Sequence, residues 1–258
     1  MSKLPLIIAH RGASTDAPEN TLAAFRYAVK AGADGVEFDV RLARDGVPVV
    51  IHDATLKRTG ALNRKVADLT SAQLGTIDAG SWFNNQFPRK AMAEFADEKV
   101  PTLKQAIDQL SGFDGVIYIE MKCGDGDYDQ LARAVCDVIR DSPRLSQMIV
   151  KSFKLAAIPV IHRHLPDVKT AALVSPKVLN LLRNRKQILA IANEFGADQI
   201  SLHRSLVTGR LIEMATEAGL AIAVWTADNP KWVKRCQKLG IEMLITNDPA
   251  LMLGVRNV

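Results

Sequence analysis

The stretch Leu6-Ile7-Ile8-Ala9-His10-Arg11-Gly12 sets four consecutive apolar residues against an abrupt polar end. A strand with one face in water alternates apolar and polar residues, whereas a strand covered on both faces carries a continuous apolar run. Short runs of this kind recur at Gly35–Val40, Val116–Met121, Met148–Phe153, Lys169–Val174, Gln199–Leu202, Leu220–Trp225 and Glu242–Thr246, making eight with the first. Amphipathic helical stretches lie between them. Thr21–Ala31 gathers Leu22, Phe25, Ala28 and Val29 on one face, and Leu131–Ile139 gathers Leu131, Val135, Val138 and Ile139. Leu206–Ala218 and Lys231–Leu239 have the same character. Alternating β and α elements imply a parallel sheet with right-handed crossovers. Eight such units in 258 residues point to an α/β fold of the closed TIM (β/α)₈ type. An open doubly wound sheet is the competing arrangement, and no Gly-rich dinucleotide loop supports it.

One segment departs from the alternation. Asp45-Gly46 signals a turn, Val47–His52 reads as a short extra strand, and residues 53 to about 99 carry polar loops without a helix of barrel length. We expect a single domain over residues 1–258, with this stretch as a small insertion after the second strand, lying over one mouth of the barrel. Trp82 and Phe83 read as packing residues within it.

Composition narrows the function. Hydrophobic residues make up 48% and charged residues 24%, which excludes disordered, collagen-like and disulfide-scaffold chains. The net charge of +5 raises the question of nucleic acid. The cationic residues are scattered, however. Their densest stretch, Arg183 to Lys186, is short and adjoins an apolar helical pattern, and aromatics are only 5%. A solvated basic face that steers anions is the better reading. Cys123, Cys136 and Cys236 are odd in number and at no metal-like spacing, so they read as reduced thiols. The N-terminal apolar run is too short for a signal peptide, and no stretch approaches the roughly 20 residues that span a bilayer. A cytoplasmic location without a membrane span is expected.

Active sites of such barrels form at the C-terminal strand ends, so the polar residues there are the informative ones. His10-Arg11 ends the first run and offers a titratable imidazole beside a guanidinium, a base next to an anion clamp. Glu37 and Asp39 share one side of the second run at i, i+2. Two acids on a buried face are costly unless a cation or proton neutralises them. Nearby Arg41 and Arg44 are candidate partners for them. Glu120 and Lys122 repeat the i, i+2 spacing, and Lys122 reads equally as the structural partner of Glu120. Three carboxylates on adjacent strands form an oxygen ligand set for Mg²⁺ or Ca²⁺. His52-Asp53, after the extra strand, brings a second histidine toward the same mouth. Trp225 ends a run just before Thr226, where exposure at the mouth is expected. His203 reads as a rim histidine, His162 and His164 as helix C-terminal residues, and Lys151 as a charge at the rim.

These residues sit in blocks with a resemblance. Ala9–Phe25 (AHRGASTDAPENTLAAF) and Gly32–Thr59 (GADGVEFDVRLARDGVPVVIHDATLKRT) resemble the glycerophosphodiester phosphodiesterase family. So do DAGSWF at Asp78–Phe83, VPTLKQAI at Val100–Ile107, YIEMK at Tyr118–Lys122, KSF at Lys151–Phe153, VWTAD at Val224–Asp228 and ITNDP at Ile245–Pro249. The resemblance spans essentially the whole chain, and its first two blocks are highly specific. It implies a (β/α)₈ barrel with an insertion, and divalent-cation-dependent hydrolysis of small-molecule glycerophosphodiesters to glycerol 3-phosphate and an alcohol. Carried over, the catalytic histidines fall on His10 and His52, and the metal carboxylates on Glu37, Asp39 and Glu120. Phosphate contacts fall on Arg11 and Lys122, and an aromatic beside the glycerol on Trp225. His10 is assigned as base and His52 as acid. The chain departs from the family pattern at Gly60, Lys104 and Lys151.

Other readings keep the barrel. A lysophospholipase D-type activity fits the same site if the insertion leaves an apolar groove. An enolase-like proton abstraction would use the carboxylates and lysine, but His10-Arg11 and His52-Asp53 suit phosphoryl chemistry better. A barrel that binds without cleaving is the third. The sequence carries no signal of oligomeric state.

Overall fold

Among the described residues, nine strands make up the sheet: β1 (Leu6–His10), β2 (Gly35–Leu42), β3 (Pro48–Val50), β4 (Val116–Met121), β5 (Met148–Ser152), β6 (Lys169–Val174), β7 (Gln199–His203), β8 (Ala221–Trp225) and β9 (Met243–Thr246). The computed structural model describes residues 4–177 and 185–257, so part of the basic stretch Arg183 to Lys186 lies outside the described residues. All strands but β3 are parallel, and the ladder closes because β1 bonds to both β2 and β9. The eight-stranded closed barrel expected from the alternation is the fold found. β3 folds back antiparallel on β2 and is shorter than the run Val47–His52. Ile51 still donates its N–H to the Asp39 carbonyl (2.9 Å), after which the ladder stops and His52 opens a loop.

Period-two alternation decides what each strand does on its two sides. The outward side of β2 and β4 carries Val36, Phe38, Val40, Ile117, Ile119 and Met121, buried against helix residues such as Phe25, Ala106, Leu131 and Val135. The inward side forms one apolar layer of Ile8, Tyr118, Ile149, Ala171, Ala223 and Ile245. The interior is therefore a packed plug. Two residues further along, β1, β4 and β5 present His10, Glu120 and Lys151, β2 adds Glu37 and Asp39, and the layer above the plug becomes polar.

Helix starts are marked by capping side chains. Thr21 accepts from Ala24 N–H at the start of Leu22–Lys30, and Thr102 forms a capping box with Gln105 before Leu103–Gln109. Between β3 and that second helix the chain holds only short helices, including Ser71–Leu74 and Ser81–Gln86. Phe83 is buried there against Phe95 and Phe87, as its reading as a packing residue expects. Trp82 is half-buried and packs too, edge-on to Phe83 (5.8 Å) with its Nε1 donating to the Ala79 carbonyl, while its side chain also borders the mouth. His162, in the last turn of Ala157–His164, meets the Gly196 carbonyl and the Thr170 hydroxyl, away from that mouth.

Candidate active site

The polar layer is built around Glu37, Asp39 and Glu120. All three are buried, and they offer oxygens that lie within 4.8 Å of one another. Lateral register produces this: Asp39 stands beside Glu120 across β2 and β4, and Glu37 stands beside His10 across β1 and β2. Asn20, in left-handed backbone that Asn tolerates, clamps Asp39 by donating from Nδ2 to Oδ2 (2.9 Å) and accepting the Asp39 N–H (3.2 Å). Glu37 Oε1 and Asp39 Oδ1 are buried, and each faces a lysine ammonium, that of Lys151 and that of Lys122 respectively.

Three cations face this set. Arg11 Nε lies 3.2 Å from Asp39 and Lys122 Nζ 3.1 Å from it, with Lys122 also paired to Glu120. The third is Lys151, which sequence reading places at the rim. Its position beside Glu120 in the β4–β5 register turns it inward, 1% exposed, with Nζ 2.9 Å from Glu37 and 3.4 Å from Glu120. Arg41 does not pair with the acids. It donates to the carbonyls of His52 (2.7 Å) and Lys122 (3.2 Å) and so holds the backbone of two site residues. Burial alone would push the Asp39 carboxyl up, but Lys122 and Arg11 hold it well below the usual carboxylate range. Burial likewise opposes, and Lys151 and His10 enforce, a lowered Glu37.

The loop after β1 depends on Gly12. Its φ is +79°, and a Cβ there would fall 2.6 Å from the Ala24 backbone. Arg11 is itself left-handed (φ 57°), a strained conformation of the kind that collects at functional sites. The turn aims the Arg11 N–H at Glu37 Oε2 (3.0 Å) and the guanidinium at Asp39 and Glu19.

Each histidine has one nitrogen occupied. The Asn247 amide nitrogen donates to Asp228 (2.8 Å), so its oxygen faces His10 Nδ1 at 2.7 Å and accepts a hydrogen bond from the Nδ1–H. In the neutral ring this tautomer leaves the Nε2 lone pair inside the barrel, 3.9 Å from Glu37. His52 Nδ1 pairs with Asp53 (2.7 Å), which Arg58 holds (2.7 Å) while also gripping Glu19 with two further donors. On the far side, the Trp225 ring packs against His203 (5.1 Å) and the half-exposed Phe153 (5.6 Å), and its Nε1 donates to the Ser201 carbonyl. Lys122 lies 5.8 Å from the Phe153 ring. A cavity of about 720 Å³ runs from His10 and Arg11 past Arg58 to Trp82, Phe87 and Lys90. The structure thus brings His10, Arg11, Glu37, Asp39, His52, Glu120, Lys122 and Trp225 to one mouth. Sequence reading missed Asn20, Asp228, Asn247 and the inward turn of Lys151. Their signal was present in the polar strand ends and in the alternation of Ile149 with Lys151.

These environments set an acid sensitivity for the metal-free protein. Burial lowers His52 and His203 from 6.5; Arg11 and Lys122 push His52 the same way against Asp39 and Asp53, and Arg204 does so for His203. The unfolded chain therefore takes up these protons first, and stability falls as pH drops below about 6.5. The lowered Glu37 and Asp39 contribute stability above their ordinary values of 4.5 and 3.8, lost as pH falls through the native ones. Urea unfolding across pH should show both windows. His52→Gln combined with His203→Gln should erase the upper one, and an unchanged upper window would assign it to other groups.

The model of the glycerophosphoryl diester phosphodiesterase family matches residues 10–251, from the β1 histidine to the last helix. The chain belongs to this family. It is 31% identical over 252 residues to the glycerophosphodiester phosphodiesterase of Caldanaerobacter subterraneus subsp. tengcongensis, covering 97% of each chain. Identity to the Bacillus subtilis glycerophosphodiester phosphodiesterase is also 31%, over 258 residues and 86% of that protein. Among solved structures, an Oleispira antarctica phosphodiesterase in complex with the product sn-glycerol-3-phosphate superposes with a TM-score of 0.86 at 26% identity, covering 99% of this chain and 98% of that one. As a glycerophosphodiester phosphodiesterase family member the chain is an enzyme, a phosphoric diester hydrolase.

Proposed function

We propose that this family member releases glycerol 3-phosphate and an alcohol from glycerophosphodiesters, with a divalent cation held by Glu37, Asp39 and Glu120. The observation that carries this is the buried carboxylate cluster, whose ligand oxygens lie within 4.8 Å of one another, flanked by two histidines of defined orientation. Oxygen-only donors suit Mg²⁺ or Ca²⁺. When bound, such a cation supplies Lewis-acid polarisation of a phosphoryl oxygen.

The chain's own residues do the rest. Arg11 and Lys122 bind the non-bridging phosphate oxygens. His10 Nε2 takes the proton of the attacking oxygen, either water, which gives glycerol 3-phosphate directly, or the neighbouring glycerol hydroxyl, which gives a cyclic phosphate that water then opens as the ring oxygen regains its proton. The bond from phosphorus to the alcohol oxygen breaks as His52 Nε2 delivers a proton to it. The phosphate's charge offsets Arg11 and Lys122, and Asp53 and Asp39 favour the imidazolium that His52 needs. Trp225, with Phe153 and His203, walls the glycerol side, and the cavity toward Trp82 and Phe87 takes the alcohol. The half-exposed Phe87 on that path favours a second substrate class, lysophospholipids. We place the enzyme in the cytoplasm: among the described residues the cysteines are unpaired, and none of the helices is long and apolar enough to cross a membrane.

The test follows glycerol 3-phosphate release from glycerophosphocholine and glycerophosphoethanolamine with Mg²⁺, with Ca²⁺ and with EDTA. Release that EDTA abolishes and either cation restores is expected. EDTA-resistant turnover would remove the cation from the reaction, and no release from folded protein would remove the substrate class. A parallel arm with lysophosphatidylcholine reads choline release and decides the second class.

A further inference from the structure

We propose that Lys151 is an internal cation that shares Glu37 and Glu120 with the divalent ion and sets how tightly that ion is held. The inference rests on the reading of Glu37, Asp39 and Glu120 as the cation site and goes beyond it in naming a competitor built into the chain. Lys151 Nζ is 2.9 Å from Glu37 Oε1 and 3.4 Å from Glu120 Oε2, at 1% exposure, while Asp39 is left to Arg11 and Lys122. Three carboxylates thus meet three cations, and the cluster is neutral without a metal. Lys151 Nζ is thus the charge that Glu37 Oε1 meets. A divalent ion drawing on Glu37 and Glu120 must share these carboxylates with the ammonium.

Two consequences follow from Coulomb's law. The barrel needs no metal to balance buried charge, so metal removal leaves it folded. A divalent ion entering the cluster meets a like charge a few ångströms away, which weakens its binding. At the effective dielectric of a protein interior, one unit charge at that distance changes an affinity by about tenfold or more. The Lys151 ammonium lies over the Tyr118 ring, 5.6 Å from its centre, and the apolar layer around that ring offers no other anion to draw it away.

The experiment titrates Mg²⁺ and Ca²⁺ into the full-length protein by calorimetry, and follows Tm with and without metal, for the parent, Lys151→Met and Lys151→Gln. The expected result is a metal Kd at least about tenfold lower in both variants, with a larger metal-induced rise in Tm than in the parent. Variants that fold only with saturating metal would give the same support, because the missing charge is then supplied by the ion. Unchanged or weaker metal binding in both folded variants would overturn the proposal, as would variants that fail to fold even with saturating metal. If neither parent nor variants bind either ion at millimolar concentration, the cation site itself is wrong; if all bind alike, only the role of Lys151 is.

Discussion

His10→Ala is expected to lower kcat by about 10²-fold or more while leaving the fold intact, and His52→Ala to do the same. The His10 side chain is 13% exposed and its one strong hydrogen bond runs to Asn247, so its loss opens no cavity in the apolar plug. What disappears is the Nε2 lone pair that the Asn247–Asp228 pair aims into the barrel. The two histidines are separable by leaving group. A base acts on the attacking oxygen whatever departs, whereas an acid matters only when the departing oxygen needs a proton. His10→Ala should slow glycerophosphocholine and a nitrophenyl phosphodiester alike. His52→Ala should slow the first and largely spare the second. Circular dichroism and the parent Tm establish folding, and near-normal turnover in either variant would remove that histidine from the reaction. The reverse leaving-group pattern would exchange the two roles.

Asp39→Asn combines a loss of activity with a loss of stability. The carboxylate is buried between Arg11, Lys122 and Asn20, and removing one partner of a buried ion pair costs about 3–5 kcal/mol. The lower part of that range is expected because Lys122 keeps Glu120 and Arg11 keeps Glu19. The new amide also presents a donor where the carboxylate only accepted, against a guanidinium and an ammonium. Turnover should fall by at least about 10²-fold, and half-maximal activity should need far more Mg²⁺ or Ca²⁺. Glu37→Gln and Glu120→Gln should shift the metal requirement in the same direction with smaller losses of stability. The sign is opposite to that expected for Lys151→Met, so one set of metal titrations examines both ideas. Metal curves that superpose on the parent's in all three carboxylate variants would refute the assignment.

Much of the molecule was legible locally because its information is periodic. Eight apolar runs separated by amphipathic helices specify parallel strands buried on both faces. The two-residue spacing of Glu37 with Asp39, and of Glu120 with Lys122, commits each pair to one side of its strand. Polar residues ending apolar runs marked His10 and Trp225, and the Asp45-Gly46 turn before the extra strand marked His52. In the sequence Arg41 reads only as a charge that could match the strand acids, whereas its donors go to the His52 and Lys122 carbonyls. Trp82 packs against Phe83 as an aromatic in a loop usually does, and only the path of the loop shows that one side of it also faces the cavity.

What the sequence by itself determined is therefore the element order, the side of each strand that carries acid or base, and the end of the barrel where they gather. The tertiary structure alone decided which charges meet. Lys151 belongs to β5 and reaches Glu37 on β2 across β4, and Asn247, just beyond β9, orients a histidine on β1. Such pairings depend on strand register and on closure of the barrel between β1 and β9. The strength of a charge pair falls with separation and rises with burial, and neither quantity is written in a local pattern until the sheet has closed.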